Sequence, residues 1–128
     1  MKQKIIGVYY FGNEQIELVL REGTGGEFYA TPEKGHIPRI KVGADKEWQQ
    51  VVSALVHEAF EFAALRNRGR YDPCGDFSND HSSYLFVMTH PIFSDCCARV
   101  AELLTSAVPV LAHEWNAWKK DSKKKGKK

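Results

Sequence analysis

A change of hydrophobic period near residue 43 constrains this chain more than any other feature. Before it lie four short segments, KIIGVYYF, QIELVLRE, EFYATP and RIKVG, separated by the turn formers Gly12-Asn13-Glu14, "REGTGGE" and "PEKGHIP". Gly and Asn adopt the positive φ that a tight hairpin requires, so the spacing predicts an antiparallel β meander over residues 1–43 whose edge strands are open to a second chain. After it, "GADKEWQQVVSALVHEAFEFAALRNRG" follows a helical period, with Asp45 as N-cap, Glu47 at the positive end of the dipole and Gly69 as the stop. At 100° per residue, Trp48, Val51, Val52, Leu55, Ala59 and Phe62 form one apolar stripe. Phe60 falls off that stripe and is expected on a second contact surface, as at a subunit interface.

The run "YLFVMTH" reads as a buried strand, and the segment after it as a long second helix. Thr89 is its expected cap, with Pro91 in the first turn, where a missing N–H costs nothing. Its expected seam is Phe93, Cys97, Val100, Leu104, Ala107, Leu111, Trp115 and Trp118, and Pro109 is expected to kink it. The fold class that follows is α+β: an N-terminal antiparallel meander, then two long packed helices with one further strand between them. Residues 1–118 form one domain, divided into a β region (1–43) and a helical region (44–118), and residues 119–128 form a Lys-rich flexible tail.

A chain of 128 residues buries about two thirds of the surface it exposes when unfolded, so one core suffices. Three cysteines, two of them adjacent, do not make a disulfide framework, and reduced, packing thiols are expected. The apolar stretch near the N-terminus lacks a small-residue cleavage site, and no continuous apolar run approaches the roughly 20 residues of a membrane span, so a cytoplasmic protein is expected. The net charge of +2 hides an asymmetry: the last ten residues carry seven Lys and one Asp, which leaves −4 on the rest. No DNA- or RNA-binding face is expected on a body without excess Lys and Arg.

No catalytic template fits. "HEAFE" (His57, Glu58, Glu61) departs from the helical zinc motif H-E-x-x-H because Glu61 stands where the second histidine belongs, and on the helical wheel His57 and Glu61 fall far from the apolar stripe, where charged groups are solvated or paired. Asp72, Asp76 and Asp80 are spaced by four rather than by two as in a calcium loop. The nucleophile elbow, the phosphate loop and the dinucleotide fingerprint are all missing from the sequence. No metal, no cofactor and no catalytic residue is therefore expected.

Residues 69–83, "GRYDPCGDFSNDHSS", suit binding better. Arg66, Arg68 and Arg70 precede or open the stretch, and a guanidinium forks onto phosphate oxygens and stacks on bases. Tyr71 and Phe77 offer ring faces, while Asp76, Asn79 and Asp80 match ribose hydroxyls and base edges. Each also has an ordinary role, Arg at a helix C-terminus and Asp, Asn, Ser and Gly in a connecting loop. Arg99, on the packed side of the second helix, needs an anionic partner: Glu102, Glu58 or Asp95, or a ligand phosphate near the first turn of that helix.

Together, the strand meander, "LVHEAFEFA", "CGDFSNDHSSYLFVMTH" and "FSDCCARVAELL" resemble the phage anti-Thoeris proteins that capture a signalling nucleotide. The resemblance spans nearly the whole chain and rests on general pattern rather than on a short diagnostic motif. It implies an N-terminal β region with two C-terminal helices, homodimers or larger homo-oligomers with pockets between subunits, and no catalysis. The implied activity, in the cytoplasm of a phage-infected bacterium, is sequestration of glycocyclic ADP-ribose made by an immune TIR protein, with cyclic oligonucleotides at separate sites. The implied grip is an aromatic residue, an Asn and an Arg, which match Tyr71 or Phe77, Asn79 and Arg99, and the Lys-rich tail has no counterpart in it. Two other readings compete: a small metal-dependent hydrolase using His57, Glu58 and Glu61, and a structural, protein-binding dimer.

Overall fold

The computed structural model describes residues 1–31, 34–71 and 85–126, with Tyr71 described by its backbone only. Four strands, β1 (Gln3–Phe11), β2 (Glu14–Arg21), β3 (Gly26–Tyr29) and β4 (Arg39–Gly43), make one sheet. It is followed by α1 (Trp48–Arg66), a two-stranded ribbon of β5 (Arg70–Tyr71) and β6 (Leu85–Phe86), and α2 (His90–Lys125). The class is α+β, with the strand between the helices in the expected place.

The sheet is mixed, in the order β1-β2-β4-β3, so the first pair is the expected antiparallel hairpin and β4 then inserts beside β2, parallel to it. Burial explains the insertion. β4 brings Ile40 and Val42, both fully buried, while the four-residue β3 is only partly covered and takes the edge. On β2 the period-two residues Ile16, Leu18 and Leu20 all point into the core. A register shift between Ile5 and Gly7 bends β1, and Ile5, Val8 and Tyr10 stay exposed.

Both helices lie on the sheet. α1 buries Val51, Leu55, Ala59 and Phe62 as its stripe predicts, and adds Ala63, Ala64 and the carboxylate residue Glu58. Its cap is Glu47 rather than Asp45, with the Glu47 N–H donating to Gln50 Oε1 at 3.3 Å. Asp45 instead accepts from the Gly23 N–H and ties the β2–β3 turn to the start of the helical region. At the other end Asn67 is the C-cap and Arg68, not Gly69, takes the positive φ of 58°. Gly69 closes the turn through its N–H to Ala64 O at 2.8 Å.

α2 starts as expected, with Thr89 accepting from Ile92 N at 3.4 Å and Pro91 in the first turn, and it continues through Pro109. Its buried face is Cys96, Val100, Leu103, Ala107, Leu111 and Trp118. Cys96 and Leu103 thus replace Cys97 and Leu104 in the expected seam: Cys97 is exposed, Leu104 half-buried, and Phe93 packs on Phe60, ring centroids 6.2 Å apart. That contact gives Phe60 a partner within its own chain. Trp115 donates its Nε1–H to Ala44 O at 3.0 Å and its ring meets Trp48, which pins α2 across the beginning of α1. The Lys-rich end, expected as a flexible tail, is helical as far as Lys125, with residues 120–126 exposed and Lys123, Lys124 and Lys125 at the negative end of the helix dipole. By length and composition α2 could cross a membrane, although in this fold its apolar face covers the sheet.

The expectation of a buried strand in "YLFVMTH" needs correction. β6 pairs only with two-residue β5, in the register Arg70↔Phe86 and Tyr71↔Leu85, and Leu85, Phe86 and Val87 are about half exposed. An apolar run of this length is compatible with burial but does not require it; the core is already closed by the four-stranded sheet and two helices. Met88 and Ile92, further along, are the residues that reach the core.

Candidate functional site: a cleft between α1, β3 and the β5–β6 stem

Three phenylalanines cross the core side of the sheet. Phe11 stacks on Phe62 with ring centroids 5.1 Å apart, and Phe62 meets Phe28 at 5.3 Å. Over each ring lies a guanidinium: Arg99 over Phe11 at 5.8 Å, Arg66 over Phe62 at 4.9 Å and Arg70 over Phe28 at 5.5 Å. Two of these arginines, Arg70 and Arg99, are predicted ligand residues, and they stand at opposite ends of this row of contacts.

Arg70 lines an open cleft of about 450 Å³ together with Gly26, Glu27, Phe28, His57, Glu58 and Glu61. Its Nε is 3.4 Å from Glu61 Oε1. Glu27 is held at the rim by Nε and Nη2 of Arg21, which donate to its two oxygens at 2.8 and 2.6 Å. Glu58, only 9% exposed, is the deep carboxylate of the cleft. Burial, reinforced by the neighbouring Glu61 charge, pushes its carboxyl above the usual carboxylate range. Room for it comes from Gly26, where a Cβ would stand 2.9 Å from Glu58 Cγ and 3.0 Å from the Lys41 carbonyl oxygen.

His57, Glu58 and Glu61 converge on this cleft. His57 Nε2 is 3.3 Å from Glu61 Oε2 and 3.9 Å from Glu58 Oε1, and one donor atom from each residue lies within 4.8 Å of the others. The helical wheel placed His57 and Glu61 on a solvated back face. The structure agrees for His57, 69% exposed, but Glu61 has a side chain only 15% exposed, because β3 and Arg70 cover that side of α1. A wheel drawn for one helix carries no information about which neighbouring strand overhangs it.

Arg99 is placed elsewhere. Its Nε donates to Asp95 Oδ2 at 2.8 Å and its Nη1 to the Phe11 carbonyl at 3.4 Å. Asp95 also accepts from Asn67 Nδ2 at 2.7 Å, and these two donors hold its carboxyl below the ordinary value. Of the anionic partners weighed from the sequence, Asp95 is the one observed. Gly12, φ 69°, lies directly over the guanidinium, where a Cβ would sit 2.7 Å from its Cζ, and the Gly12 N–H donates to Glu102 Oε1 at 2.9 Å. Arg99 and Glu102 thus clamp the β1–β2 turn onto α2. Arg70 and Arg99 share no partner among the described residues.

The remaining predicted residues belong to the stretch between β5 and β6. Tyr71 is the last residue of β5, while Phe77, Asn79 and Asp80 lie outside the described residues. The ribbon fixes where this stretch leaves and returns: Tyr71 pairs with Leu85, and Val87 N donates to Gly69 O at 2.8 Å. Both ends of the connection are therefore rooted next to Arg70, at the edge of the cleft. Comparison with known proteins adds nothing to this picture: no family model, no curated protein and no solved structure matches the chain.

Proposed function

We propose that this protein is a non-catalytic binding protein that sequesters a cyclic ADP-ribose-type nucleotide in the cytoplasm of a phage-infected bacterium, and so blunts TIR-based defence. The observation that supports the reading is the β5–β6 pair, Arg70↔Phe86 and Tyr71↔Leu85, which sets Arg70 over the Phe28 ring in the cleft. A cleft of about 450 Å³ falls within the range of small-molecule sites. Arg70 supplies a guanidinium for a phosphate, Tyr71 and Phe77 supply stacking faces, and Asn79 and Asp80 supply partners for base edges and ribose hydroxyls. Arg99 is the second phosphate partner in this reading, although its Nε and Nη1 already serve Asp95 and Phe11. The assembly that goes with it is a homodimer or a larger homo-oligomer.

A sponge works by affinity alone. Charge-assisted hydrogen bonds of about 1.5–3 kcal/mol each and base stacking of about 1–3 kcal/mol reach nanomolar binding after the costs of association. The direct test is native mass spectrometry of the full chain with a panel of cyclic ADP-ribose isomers and cyclic oligonucleotides. The proposal expects mass increments equal to intact ligand on an oligomer, and at least tenfold weaker binding in Asn79→Ala. Unshifted spectra across the panel would refute it.

A further inference from the structure

We propose that His57, Glu58 and Glu61 form a binding site for a borderline divalent cation of the Zn²⁺ or Mn²⁺ class. This inference is independent of the nucleotide reading and rests on two separate features of the cleft. The first is geometry. Donor atoms around a metal with bonds of about 2.0–2.2 Å in tetrahedral arrangement stand about 3.5 Å apart. His57 Nε2 and Glu61 Oε2, one helical turn apart on α1, are already at 3.3 Å, and His57 Nε2 and Glu58 Oε1 are at 3.9 Å. The third pair, Glu58 and Glu61, also lies within the 4.8 Å that contains all three donors.

The second feature is the state of Glu58. The residue is nine-tenths buried, its carboxylate lines the cleft, and it makes no hydrogen bond among the described residues. Its nearest opposite charge, should His57 be protonated, is at 3.9 Å, beyond hydrogen-bond reach. Arg70, the guanidinium in the same cleft, stands against Glu61, with its Nε 3.4 Å from Glu61 Oε1, and Arg21 is committed to Glu27. No fully buried side-chain oxygen among the described residues lacks a partner, so the Glu58 carboxylate meets solvent only through the cleft, and a cation held jointly with Glu61 and His57 would take the place of that water. One imidazole and two carboxylates mix the preferences of Zn²⁺ and Mn²⁺, and three protein ligands leave positions open towards the cleft. Arg70, 3.4 Å from Glu61, then orients the Glu61 carboxylate from outside the metal.

The experiment is a calorimetric titration of the full chain, stripped with chelator, with Zn²⁺ and separately with Mn²⁺, in the absence of nucleotide. One saturable site per chain is expected for at least one of the two ions. It should weaken tenfold or more in His57→Ala and in Glu61→Gln, and stay unchanged in the exposed-histidine control His113→Ala. Because the His57 side chain is 69% exposed, its truncation leaves the fold intact, which a circular dichroism melt verifies. No saturable binding of either ion, or binding that survives both cleft substitutions, overturns the site. A positive result here with no nucleotide binding in the mass spectra would retain the metal site and discard the sponge; the reverse pair of results would do the opposite.

Discussion

Gly26 and Glu58 interlock: Glu58 Cγ and the Lys41 carbonyl oxygen occupy the two sides of the space a Cβ on Gly26 would need, at 2.9 and 3.0 Å. The deep acid of the cleft is therefore seated by a missing side chain on β3. Gly26→Ala should destabilise the fold by about 1–3 kcal/mol, the range of overpacking, as read by urea unfolding. Combining it with Glu58→Ala should cost less than the two single changes added together, because one of the two colliding atoms is gone.

Glu58 itself opposes folding when ionised. Its folded-state pKa lies above the ordinary value of 4.5, so stability contributed through this group is full below that value and is lost as pH rises through the folded pKa. Glu58→Gln removes the loss. With chelator present, the variant should melt above the parent protein at pH 7, and the difference should fade as pH drops below 4.5. Equal melting curves over that range would mean that the Glu58 carboxylate is fully solvated or paired.

Asp95 titrates with the opposite sign. Asn67 and Arg99 hold its pKa below the ordinary 3.8, so the stability from this contact is present above that value and is lost only as pH falls further through the folded pKa. Arg99→Ala should cost about 1 kcal/mol at neutral pH through the Asp95 and Phe11 contacts. The cost should shrink in strong acid. A binding loss in this variant is informative only after its stability has been measured, whereas Arg70→Ala reports on the cleft more directly.

Phe62 joins the two other rings of the core row, so its truncation removes both contacts at once. Phe62→Ala should cost about 3–5 kcal/mol, and a melting or urea experiment will show whether the chain remains folded at all.

Local signals in the sequence are fulfilled where one element suffices to decide the outcome. The Thr89 cap with Pro91, the Val51–Leu55–Ala59–Phe62 stripe and the β1–β2 hairpin each depend on neighbours in the chain, and each is found. What escaped depends on partners far along the chain. β4 slips between β2 and β3 because the core needed Ile40 and Val42 in the middle, which no turn residue announces. One-residue shifts in α2, Cys96 for Cys97 and Leu103 for Leu104, follow from its packing against both α1 and β1. The cleft was half legible: "HEAFE" named the residues, but burial of Glu58 and Glu61 comes from β3 and Arg70 folding over them. Arg99 was rightly expected to need an anion, and its i+4 relation to Asp95 was the signal.

Capture without chemistry is tested by depletion followed by recovery. Purified protein is mixed with substoichiometric glycocyclic ADP-ribose, the free nucleotide is measured in a filtrate, and the protein is then heat-denatured. The expected result is that the nucleotide disappears from the filtrate and returns unaltered on denaturation. A nucleotide that stays in the filtrate, or that returns chemically changed, would contradict it.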